Sequence, residues 1–72
     1  MNKYDIANLV DHTIEEIEGG IPFAEALKSA EFIIGESVES DEQYFKLVDD
    51  FMVQYMIECT MRVGKQTKVE GI

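Results

Sequence analysis

The sequence predicts an all-α fold, a small antiparallel three-helix bundle with a long third helix, completed by dimerisation. Three observations point there. Apolar residues recur at helical spacing in three segments, the segments are separated by short loops rich in glycine, proline and serine, and alternation of the strand type is rare. The chain has 72 residues, and a domain of that size buries only about 60% of the surface its unfolded form exposes. Such small scaffolds usually need a disulfide, a metal or a second subunit. Cys59 is the only cysteine, so no internal disulfide is available.

The first helix is expected over about 3–18. Ile6, Leu9, Val10, Thr13, Ile14 and Ile17 form one stripe at 100° per residue, and Asp5, Asn8, Asp11, His12, Glu15, Glu16 and Glu18 occupy the other side. Gly19-Gly20 supplies the stop, because glycine readily takes the left-handed conformation past a helix end. A second helix opens at Pro22, suited to a first helical position where its missing N–H would be unpaired anyway. It runs to about Ile34 with Phe23, Ala26, Leu27, Ala30, Ile33 and Ile34 inward, and Gly35 reads as its end. Phe32 falls on the opposite side and reads as packing beneath the following loop or as a partner anchor.

The third helix is expected over about 41–63. Ser40-Asp41-Glu42-Gln43 matches a capping box. The main stripe is Tyr44, Phe45, Leu47, Val48, Phe51, Met52, Tyr55, Met56 and Cys59, while Val53, Ile57 and Met61 make a second ridge on the far side. A helix apolar on two sides needs two packing partners. The ridge therefore has three possible neighbours: the first helix, a different protein, or a second copy. Gly64 reads as the break. Residues 65–72 read as a polar tail outside a helical domain of 1–64, with a strand over Glu58–Val69 as the weaker alternative.

Charge is the strongest global feature, at −9. Residues 1–58 carry fourteen acids against three lysines, a balance of −11, whereas residues 59–72 carry three cations against one acid, +2. Direct nucleic-acid or anionic-membrane binding is disfavoured, because phosphate contacts need cations. No uninterrupted apolar stretch approaches the ~20 residues of a membrane span. Met1–Asp5 lack the pattern of a secretory signal. A lone cysteine in an apolar run fits a cytoplasmic protein.

Catalytic chemistry finds little support. His12 stands with Glu15 and Glu16 on one helical turn, two or three donors where a metal site needs three or four in fixed geometry. Neighbouring acids (Glu15-Glu16, Asp41-Glu42, Asp49-Asp50) point about 100° apart and do not converge. Gly19-Gly20 lacks the lysine and hydroxyl of a phosphate loop. No cofactor is expected. The sequence reads as a non-catalytic protein-binding inhibitor or regulator that meets a partner with a basic surface, such as a nucleic-acid-binding enzyme. The contact residues are expected at Asp11, Glu15, Glu16, Glu18 and Glu25, with Phe32, Val53, Ile57 and Met61 at a partner or homodimer interface. Acids spaced along a rigid helix can imitate a phosphate ladder, although a solvated face that keeps the protein soluble has the same composition. The cationic C-terminal stretch can also fold back onto that face. Phage inhibitors of host defence nucleases, anti-restriction nucleic-acid mimics and acidic antitoxins share these bulk properties. The rival reading is a structural module whose apolar third helix drives self-assembly.

Overall fold

The computed structural model describes the backbone of residues 1–70 and the side-chain surroundings of residues 1–63. It contains three helices, α1 Lys3–Glu18, α2 Phe23–Glu36 and α3 Asp41–Glu70, and no strand among the described residues. Both ends of α1 are chemically defined. Asn2 and Asp5 form a reciprocal capping box, each side chain accepting the other's backbone N–H at 3.0 Å. At the far end Gly20 takes φ 108°. Its N–H then donates to the Ile17 carbonyl and that of Ile21 to the Glu16 carbonyl, the paired bonds that satisfy orphaned helix-end acceptors.

Three boundaries depart from the sequence reading. Pro22 is the cap of α2, not its first helical residue: it is extended at ψ 146°, and its carbonyl accepts from Ala26 N–H at 3.0 Å. Gly35 does not end α2. The helix passes through it to Glu36, and Ser37 closes the turn through its N–H and hydroxyl, both donated to the Ile34 carbonyl. An added Cβ here would meet the Tyr44 ring at 3.7 Å, an ordinary van der Waals contact. Gly64 likewise does not break α3, which continues to Glu70. The tail and strand readings of this stretch are both overturned as far as position 70; positions 71–72 lie outside the described residues. An interior glycine costs only about 1 kcal/mol relative to alanine. No proline follows Gly64 to convert that cost into a stop.

The core is formed by Ile6, Leu9, Val10 and Ile14 of α1, Ala30 and Ile34 of α2, and Phe51 of α3, with Leu27, Tyr44, Leu47, Val48, Met52, Tyr55 and Cys59 packed around it. Ala26 and Ala30 are fully buried, the close approach that small side chains permit. Thr13 is buried too, and its hydroxyl is satisfied by donating to the Leu9 carbonyl at 2.8 Å. Phe23, at the start of α2, meets Tyr55 at a ring separation of 5.7 Å. Near the other end of α2, the Glu31 carboxylate accepts from the Tyr44 hydroxyl at 3.3 Å. The Ser40 hydroxyl accepts from Gln43 N–H as expected, while the Gln43 side chain reaches back to Glu39 N–H, one residue before the cap.

The packing leaves much of α3 uncovered. Phe51 is its one fully buried residue among those described, whereas Phe45 and Met56, expected in the main stripe, are 67% and 64% exposed. They sit at the edge of the arc that α1 and α2 can reach. Phe32 is 68% exposed on the outer side of α2, so it does not pack beneath the loop.

Candidate interaction surfaces

α1 positions its acids on the side opposite Ile6, Leu9, Val10 and Ile14, so Asp11, Glu15 and Glu18 are exposed and Glu16 is partly covered. Glu25, in the first turn of α2, is exposed and favourably placed against the helix dipole. These five expected contact residues are therefore on the surface, but they do not form one uniform face. Arg62 of α3 reaches across to Asp11 at 3.6 Å and Glu18 at 3.4 Å on α1, and also lies 3.6 Å from Glu58 on its own helix. Its Nε is buried without a hydrogen-bond partner. One cation thus draws three carboxylates together, two of them among the five expected contact acids. Glu15 and Glu25 have no ion-pair partner among the described residues. Glu16 lies 3.6 Å from His12 Nε2.

His12 itself is exposed, and no group of three metal-binding side chains converges among the described residues. Two tyrosines have perturbed hydroxyls. Burial, then the nearby Glu31 charge and hydrogen bond, raises the Tyr44 pKa above its ordinary 10.0. Burial and the Cys59 thiol raise that of Tyr55. Both lie beside the α2–α3 packing.

The other surface is apolar. Between positions 53 and 63 the charged residues are Glu58 and Arg62; Arg62 reaches α1, and Glu58 stands beside it on α3. The exposed side chains are Val53, Gln54, Met56, Ile57, Thr60, Met61 and Val63. Val53, Ile57 and Met61 are 49%, 47% and 52% exposed, so the second ridge does not find its partner in α1. Beside Val53 lies an open groove of about 600 Å³ between the start of α1 and the middle of α3, lined by Tyr4, Ala7, Leu47, Asp50, Val53 and Gln54 among others. Tyr4 is 80% exposed at its edge. The groove could not be read from the sequence, because its two walls, ending at Ala7 and beginning at Leu47, are far apart along the chain. The Asn2–Asp5 cap that helps to shape its mouth did have a signal, an N-cap residue followed three positions later by an acid. No helix among the described residues is long and apolar enough to cross a membrane. No family model, curated protein or solved structure matches the chain.

Proposed function

We propose that this chain is a non-catalytic protein-binding inhibitor or regulator, an antiparallel three-helix bundle completed by a second copy. Its partner would present a basic surface of the kind that nucleic-acid-binding enzymes carry. The observation that supports this reading is the segregation of its surface: exposed acids on α1 and α2, and an uncharged apolar face on the second half of α3. Within the acidic set, Asp11, Glu15, Glu16, Glu18 and Glu25 are the contact residues, with Asp11 and Glu18 sharing Arg62. Phe32, exposed between Glu25 and Glu36 on the outer side of α2, supplies an aromatic anchor within the acidic surroundings.

The test is capture of partners on immobilised protein at low and moderate salt, repeated with Glu15→Lys combined with Glu16→Lys. Recovery of one basic partner that weakens with salt, and at least about tenfold weaker binding by the double variant, is the expected result. Binding unchanged in both respects removes the electrostatic reading. A second reading is favoured by the half-exposed ridge Val53–Ile57–Met61: a self-assembly module in which acid only maintains solubility. It expects Ile57→Asp to change the mass measured by light scattering, with no basic partner recovered at any salt concentration.

A further inference from the structure

We infer that the second copy docks by an antiparallel crossing of α3 on α3 centred on Ile57, with Met61 of each chain entering the groove beside Val53 of the other. This rests on the dimer named above and gives it a register. Val53, Ile57 and Met61 form a single ridge at i, i+4 spacing. Two such ridges pack side by side with the helices crossing at about −50°. A two-fold axis at Ile57 sets Val53 opposite the mate's Met61, and closed symmetry makes that contact twice.

Three features favour a copy of this chain as the occupant. The first is shape. The groove opens immediately beside Val53, and the side chain that the register delivers there is a half-exposed methionine, flexible enough to fill an irregular apolar hollow. The second is charge. A protein of net charge −9 approaches its own copy most readily through a surface poor in carboxylates. Between 53 and 63 the one acid is Glu58, which Arg62 accompanies at 3.6 Å, and Asp50 lines the groove together with Lys3. The register also pairs position 49, an aspartate, with position 65 of the mate, a lysine in the sequence. The third is area. Val53, Met56, Ile57, Met61 and Val63 are each about half exposed or more, and a contiguous apolar patch of a few hundred Å² is typical of an interaction site. Tyr4, 80% exposed at the groove edge, extends the face toward the ~800 Å² that each partner commonly contributes to a stable interface.

The experiment uses the full chain with Cys59→Ser, so that any cross-link reports an introduced thiol. Mass is measured by light scattering over a wide concentration series. Ile57→Cys and Lys46→Cys are then oxidised separately with diamide. Thiols at position 57 lie together on the axis, within disulfide reach, whereas those at position 46 lie on the order of 30 Å apart at 1.5 Å per residue on either side of it. The expected result is a dimer mass, a covalent dimer for Ile57→Cys and none for Lys46→Cys. An equimolar mixture of Val53→Cys and Met61→Cys should also give the mixed cross-link, and Met61→Asp should raise the dissociation constant about a hundredfold. A dimer mass without the position-57 cross-link, or with efficient cross-linking at position 46, overturns the register and leaves the dimer standing. A monomer at every concentration overturns both and leaves the face to a different protein. The acidic-partner reading is then judged on Glu15 and Glu16 alone.

Discussion

The two halves of α3 solve opposite problems with one continuous helix. Over 41–52 the arrangement is ordinary. Leu47, Val48 and Phe51 turn toward α1 and α2, while Glu42, Lys46, Asp49 and Asp50 face solvent. Over 53–63 Tyr55 and Cys59 still pack inward, but Val53, Met56, Ile57, Met61 and Val63 are exposed while Arg62 reaches α1 with Glu58 beside it. The first half is held by hydrophobic burial. In the second, an ion-pair cluster at the α1 junction adds to the packing of Tyr55 and Cys59. Solvent-exposed ion pairs contribute little each, so the second half holds the weaker attachment to the bundle and the more adhesive exterior. That combination suits a segment that reaches its full stability only when something covers it.

The comparison is broken most severely at Phe51. A domain of this size has a total stability of about 4–11 kcal/mol at typical values per residue, and removing a buried phenylalanine costs about 3–5 kcal/mol. Phe51→Ala should therefore leave a protein close to or below its folding threshold, as followed by circular dichroism in urea. Ile57→Ala, made in the second half and measured at concentrations where the chain is monomeric, should cost less than about 1 kcal/mol. Equal losses at the two positions would mean that the halves are packed alike.

Arg62→Gln is the next test. It removes the cation from three carboxylates within 3.6 Å of it. Destabilisation of about 1 kcal/mol is expected at low ionic strength, reduced because the side chains are a third or more exposed and reduced further by added salt. An effect independent of salt would make the aliphatic stem of Arg62, not its charge, the contact that matters.

The first half is probed at Tyr44. Its pKa is raised above the ordinary 10.0 by burial and by Glu31, so above that pH the folded state holds the proton more tightly than the unfolded state. The contribution is fully present below pH 10.0 and is lost as pH rises through the higher folded value. Tyr44→Phe should blunt the alkaline unfolding transition, and Tyr55, raised in the same direction, should account for part of what remains. The smallest effect is expected at Gly35, where an added methyl group would meet the Tyr44 ring at ordinary van der Waals distance. Gly35→Ala should stabilise α2 by about 0.5–1 kcal/mol. A loss would show that Tyr44 packs there without room to spare.

Much of the architecture was legible because it depends on local rules. The stripe from Ile6 to Ile17, the Gly19-Gly20 stop and the Ser40–Gln43 cap each reside within a few positions of one another, and their bond geometry follows from backbone chemistry alone. Gly35 and Gly64 were misread for a related reason. A glycine weakens a helix by an amount that neighbouring turns and packing easily offset, so it marks an end only where the next residues stop helping. Phe45 and Met56 belong to the apolar stripe on a helical wheel, but the width of that stripe exceeds the arc that two small neighbours can cover.

The sequence by itself determined the three helices, their order, the inward residues of α1 and the acidic character of the surface, since periodicity and charge are properties of position along the chain. Only the tertiary structure decided which acids are engaged and where the apolar excess lies. Arg62 and Glu18 are 44 positions apart, and no periodic pattern connects them. The ridge of Val53, Ile57 and Met61 was legible in the sequence, but that it stays uncovered was decided when α1 and α2 had taken their places, because exposure is defined by which neighbours are present.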